Sequence, residues 1–291
     1  MMQLSSGASV LLEKLKHFGV GAPFFHVVLG SGFKDALIDG LPKGFRIVGE
    51  ISFKELPGLA VSTAPGHSGK MAVLVHETTR KVGIIQVGRL HGYEGLDPRE
   101  VVKPVMFSRE LGTENYFITN AAGGIDSAHR PGDVMIIRDH INLTGKSPLY
   151  GENPKNAKGV EWGPRFPDLT HVYCPSLTRE VKEKLLREGL RVHEGVYMGV
   201  LGPAFETPAE IRFFKMIGSH AVGMSTVWET TALKHSGAKV CAFSLISNVA
   251  AGLSENPDEE LDHFVILDTC RGSSTHILKA ILNSVSAGDG V

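Results

Sequence analysis

The stretch Lys81–Gly95, KVGIIQVGRLHGYEG, joins an apolar run to a polar turn. Its first half carries apolar side chains at successive positions instead of alternating with polar ones, which fits a strand covered on both faces. Beyond Gly88, Arg89, His91 and Tyr93 stand at every second position and project on one face if the chain stays extended. A guanidinium fork and an imidazole are therefore expected where a buried strand emerges.

The same pattern recurs outward from this stretch. FFHVVLG, MAVLVH, NYFITNAAGG, DVMIIRD, HEGVYMGVLG, HAVGMS and KVCAFSLISN read as further strands. Between them DPREVVKPVMFSRELG, TREVKEKLLREG, TPAEIRFFKMIG and TVWETTALKHSG show helix-period apolar positions and close on glycine, as helix C-termini do. The opening MMQLSSGASVLLEKLKHFG reads as a helix with a lysine-dotted polar face. Strand and helix alternate, so an α/β fold around one central sheet is predicted. No internal repeat divides the chain, and residues 1–291 are read as a single domain. The segment Thr144 to Leu169, rich in Gly, Pro and Asn, is read as a long functional loop.

Composition excludes several classes of function. Thirty basic residues stand against 31 acidic ones, a net charge of −1, which gives no field for nucleic acid or an anionic membrane. Three cysteines without CxxC spacing argue against a disulfide framework or a zinc site and point to the cytoplasm. No eighteen-residue apolar span or small-residue cleavage site is visible, so no membrane association is expected.

In an open α/β sheet ligands gather beyond the carboxyl ends of strands. There lie GSG (Gly30–Gly32), GRLHGY (Gly88–Tyr93), TNAAGG (Thr119–Gly124), GPAFE (Gly202–Glu206), GMST (Gly223–Thr226) and Ser247–Asn248, with the turn PGHSGK (Pro65–Lys70) beside them. The Arg89 fork, backbone N–H groups of the glycine turns and the Ser31 and Ser225 hydroxyls would together make an oxyanion cradle; each alone is better read as a solvated turn or a tight corner. GSGFKD lacks the third glycine of GxGxxG, GHSGK is not a P-loop, HETTR has no second histidine for zinc, and GMSTV fails GxSxG. Dinucleotide, nucleoside triphosphate, metal and serine-hydrolase chemistry are disfavoured. In GPAFETPAEIR, Thr207, Pro208 and Glu210 complete a helix capping box that leaves Glu206 unexplained. Asn248 ends an apolar run, where its amide either finds a partner or simply makes a turn.

GSG, GRLHGYEG, TNAAGGI, IRDHINLTG, PRFPDLT, EGVYMGVLGPAFETPAEIR, VGMSTVWE and FSLISN follow one another in an order and spacing that resembles the trimeric type of purine nucleoside phosphorylase over nearly the whole chain. The resemblance implies a central twisted mixed β-sheet flanked by helices, a homotrimer, and cleavage of purine nucleosides by inorganic phosphate. Phosphate is then a co-substrate, and neither cofactor nor metal is implied. It places Ser31, His67, Arg89, His91, the Ala121 N–H and Ser225 on phosphate. Tyr93, Tyr197, Met224 and His263 fall on the ribose, Phe205 against the purine ring, and Glu206 with Asn248 on the base edge; His91, Glu206 and Asn248 are the implied catalytic set. Trp162 stands where the family lends a phenylalanine to the neighbouring subunit's sugar pocket, and His263 lies in LDHFV where NHEEV is common. An acceptor-only Glu206 implies inosine and guanosine over adenosine. The alternatives are a methylthioadenosine phosphorylase, which carries aspartate at the Asn248 position, and a noncatalytic nucleoside-binding protein.

Overall fold

The computed structural model describes residues 4–33, 35–64, 69–254 and 271–286. Its strands are β1 (Phe25–Leu29), β2 (Phe45–Ser52), β3 (Lys70–His76), β4 (Val82–Val87), β5 (Asn115–Gly124), β6 (Val134–Asn142), β7 (Val192–Gly199), β8 (Ala221–Gly223) and β9 (Lys239–Val249). The helices are α1 (Ser6–His17), α2 (Ala36–Asp39), α3 (Pro98–Glu110), α4 (Pro175–Arg187), α5 (Pro208–Met216), α6 (Val227–His235) and α7 (Arg271–Ser286).

The apolar run at Val82–Val87 is buried at every position, as its pattern predicts. It lies between β3, antiparallel, and β1, parallel. Neighbouring residues serve different cores because strand side chains alternate. Val28 and Ile84 meet α1, α3 and α6 on one face, whereas Val27 and Ile85 meet α2, α4 and α7 on the other. Full burial of each such side chain contributes roughly 1.5–3 kcal/mol, so helices on both faces hold the sheet. Gly83 interrupts the run for a reason of space: a Cβ there would lie 2.0 Å from Phe25 Cζ.

The sheet order is β2-β3-β4-β1-β5-β8-β7-β6-β9, with parallel and antiparallel pairs mixed. Because β5 also pairs with β9, the strands β5, β8, β7, β6 and β9 close into a ring, from which β1, β4, β3 and β2 extend as an open sheet. That closure was not predicted from the strand patterns. Neither were α2, α7 and the edge strand β2, whose exposure follows no clean alternation and whose register slips between Ile47 and Gly49.

The Thr144–Leu169 segment holds no strand or helix beyond an isolated bridge between Lys155 and Glu161. Side chains of α3 and α6 bond to it instead. Arg99 donates to the carbonyls of Pro148, Tyr150 and Glu152, and the Trp228 indole N–H reaches Thr144 Oγ1 at 3.0 Å.

Candidate active site

The carboxyl ends of β1, β4, β5, β8 and β9 open into one cavity of about 290 Å³, at the small end of the range for small-molecule sites. Ser31 follows β1, Arg89, His91 and Tyr93 follow β4, Ala121 lies in β5, Met224 and Ser225 follow β8, and Asn248 closes β9. Phe205 and Glu206 reach the same cavity from the segment before α5.

Arg89 is held from two edges. Its Nε and Nη2 face the Glu229 carboxylate at 3.3 and 3.1 Å, while Nη1 donates to the Thr119 carbonyl at 2.7 Å and to Ser225 Oγ at 3.3 Å. Both members of the ion pair are almost wholly buried, which fixes the fork and takes away its freedom to swing. Gly30 explains the close fit: a Cβ there would stand 2.8 Å from Arg89 Nη1.

The turn after Arg89 departs from simple extension. His91 is extended, and Gly92–Glu94 then forms a 3-10 turn that folds Tyr93 back onto the imidazole, with ring centroids 4.5 Å apart. The three side chains still share one cavity, through the turn and not through strand alternation. Glu94 accepts the His91 backbone N–H at 2.9 Å and lies 3.2 Å from His91 Nδ1. Burial lowers the His91 imidazole below the ordinary range against the pull of Glu94, so the ring is neutral at pH 7. Burial by itself would raise Glu94; its bonds from His91 and Thr63 prevail and hold it down at about 2.

Asn248 is turned by an irregularity in β9. Ile246 pairs with Ala122 and Asn248 with Gly123, leaving Ser247 as the extra residue of a bulge. The Ser247 hydroxyl lies 2.7 Å from Asn248 Oδ1, and Asn248 Nδ2 donates to the Val249 carbonyl at 2.8 Å. Glu206 is raised by burial, with its own backbone N–H opposing and the Glu210 charge adding. Phe205 is 42% exposed at the cavity mouth.

A family model, the Phosphorylase superfamily, matches residues 34–284. Purine nucleoside phosphorylase 1 of Geobacillus stearothermophilus is 38% identical over 268 residues, covering 91% of this chain and 92% of that protein. Purine nucleoside phosphorylase of Mus musculus is 35% identical, covering 87% and 84% respectively. The solved structure of Schistosoma mansoni purine nucleoside phosphorylase in complex with adenosine superposes with a TM-score of 0.82 at 25% identity, covering 99% of this chain and 98% of that one. The chain belongs to the purine nucleoside phosphorylases.

Not every residue expected in this phosphorylase's site lines the cavity. Tyr197, expected on the sugar, is fully buried behind the wall, where its hydroxyl accepts the Ser225 N–H at 3.4 Å. Its ring packs in the core on β7, and its hydroxyl braces Ser225 at the cavity wall. Trp162 lies beside Leu4, Arg109 and Glu110, apart from the residues of its own chain's cavity. His67 and His263 lie outside the described residues.

Several contributing residues were not singled out by sequence. Glu229 pairs with Arg89 and Glu94 with His91; a carboxylate three residues after His91 was a usable signal, whereas nothing local marks Glu229. Gln86 was a polar break in an apolar strand; it is buried, and its amide donates to the Gly88 carbonyl at 2.9 Å, bracing the turn into Arg89. Among the described residues no His, Cys, Asp or Glu cluster could hold a metal ion, and no helix is long and apolar enough to cross a membrane.

Proposed function

We propose that the chain catalyses phosphorolysis of 6-oxopurine nucleosides, inosine, guanosine and their deoxy forms, to the free base and ribose or deoxyribose 1-phosphate. The observation that carries this reading is one cavity lined by two unlike sets of residues: Arg89, His91, Ser31 and Ser225, suited to an oxyanion, and Phe205, Glu206 and Asn248, suited to a flat heterocycle with polar edges.

Cleavage of the C1′–N9 bond sends its electron pair to the purine and leaves positive charge on the sugar. Phosphate fixed by Arg89, Ser31, Ser225 and the Ala121 N–H answers that charge and forms the new C1′–O bond. His91 has Glu94 on its Nδ1 edge, so Nε2 is the edge for phosphate, and a neutral ring there accepts a hydrogen bond from the hydrogen phosphate, whose proton balances the one the departing purine gains. His67 joins this set in the same reading. Tyr93, Met224 and His263 bound the ribose.

On the base side Ser247 fixes the Asn248 amide with its oxygen toward the hydroxyl. One amide N–H goes to Val249. The other donates toward purine O6 and N7, where negative charge accumulates as the bond breaks. Ionised Glu206 accepts the N1–H of hypoxanthine or guanine and faces only a lone pair in adenine. A mispaired buried group costs roughly 1–3 kcal/mol, about a tenfold to hundredfold preference.

The same proposal includes a cytoplasmic homotrimer in which Trp162 enters a neighbour's sugar pocket. Its support is the exposed Tyr150, Val160 and Phe166 on the loop that carries Trp162.

The test is hypoxanthine release from inosine with and without phosphate, with adenosine, the nucleoside of the Schistosoma complex, as the comparison substrate. Release is expected only with phosphate, and faster from inosine. Phosphate-independent release would indicate a hydrolase, and none in either condition a binding protein.

A further inference from the structure

We infer that Glu229 is the resident counter-anion of Arg89 and limits how tightly the cradle holds inorganic phosphate. The inference rests on the phosphate cradle proposed above and concerns its strength.

Glu229 sits in the first turn of α6, two-point paired with Arg89, and the two side chains are 3% and 2% exposed. An arginine cannot shed its proton, so one this buried requires a nearby negative charge. Glu229 supplies it while the cavity holds no anion. The consequence is electrostatic. Among Arg89, Glu229, Glu94 and the neutral His91 the formal charge is one positive against two negative, a net of −1, with both carboxylates in direct contact with the residues that meet phosphate. Phosphate is thus attracted by aimed N–H and O–H donors, not by excess charge, and when bound it shares Arg89 with an anion already in place. Such a cradle orients the nucleophile without trapping it, and it lets the sugar phosphate product leave.

A carboxylate that only orients Arg89 and one that also competes with phosphate predict opposite signs. Glu229→Gln keeps the shape and one acceptor but removes the charge. If Glu229 only orients, phosphate binds more weakly to the variant. If it is the competing counter-anion, phosphate binds more tightly.

Titration of inorganic phosphate into the purified full chain is expected to give about a tenfold lower Kd for Glu229→Gln than for wild type. KM for phosphate and kcat should fall together, because ribose 1-phosphate leaves more slowly. Glu229→Asp, which retains the charge, is expected to stay within about threefold of wild type. Arg89→Met should abolish binding in either background. Unchanged or weaker binding to folded Glu229→Gln overturns the inference, as does an equal gain in Glu229→Asp. If Glu229→Gln does not fold in chloride, refolding at equal ionic strength in phosphate is expected to recover it, since the dianion replaces the missing carboxylate; equal yields in the two salts overturn the inference. Absence of phosphate binding by wild type would instead overturn the cradle.

Discussion

Asn248 and Glu206 divide the work of choosing a base between a fixed donor and a fixed acceptor. Asn248→Asp replaces the donor by an acceptor that suits the 6-amino group of adenine. Adenosine turnover relative to inosine is expected to rise at least tenfold, as measured by kcat/KM for each nucleoside. Glu206 adds a pH dependence. Burial raises its carboxyl, so on acidification it protonates ahead of exposed carboxylates and ceases to accept the N1–H. Inosine KM is expected to increase as pH falls through that raised pKa, and Glu206→Gln should abolish this limb in a KM-against-pH profile. Sequence made both residues visible by exclusion: Glu206 was left over by the capping box, and Asn248 ended an apolar strand.

At the scale of elements, the cap of α5 ties stability to the base wall. Thr207 Oγ1 accepts the Glu210 N–H at 3.3 Å, and Glu210 Oε2 accepts the Thr207 N–H at 2.7 Å, immediately after Glu206. Thr207→Ala is expected to cost about 1 kcal/mol in denaturant unfolding and to raise nucleoside KM more than phosphate KM. The capping box was legible because it is local, three residues apart and independent of the rest of the fold. The β9 bulge was not. FSLISN reads as an uninterrupted strand, and the extra residue exists only relative to β5, more than a hundred positions away. The 3-10 turn at Gly92–Glu94 depends likewise on Trp228, since a Cβ on Gly92 would lie 2.4 Å from its ring.

Over the whole molecule, buried histidines add to the loss of stability in acid. His26 is fully buried, bonded through Nδ1 to Ser108 at 2.8 Å, and burial outweighs the raising effect of Gln86 to bring its pKa from 6.5 to about 3. Its folded form resists the proton that the unfolded chain accepts, so stability is complete above pH 6.5 and falls as pH drops toward 3. At pH 5 the loss from this residue is about 2 kcal/mol. His91, His129, His140 and His235 are lowered in the same direction. His26→Phe should flatten the plot of unfolding free energy between pH 7 and 5 by about that amount, whatever its effect on neutral stability. Assembly belongs to this scale as well. Sedimentation is expected to give a trimer, and Trp162→Ala to raise nucleoside KM with phosphate binding unchanged; a monomer with full activity would remove the shared site.

The amino-acid sequence by itself determined the alternation of buried strands and helices, the positions at which strands emerge, and the residue types waiting there. Those properties follow from period, glycine and capping, which act over a few residues. Tertiary structure alone decided that β5 and β9 pair to close a ring, that Tyr197 stands behind Ser225, and that Glu229 meets Arg89 across 140 positions. A carboxylate on a helix carries no local mark of the charge it will face; only packing removes the water that would otherwise serve both.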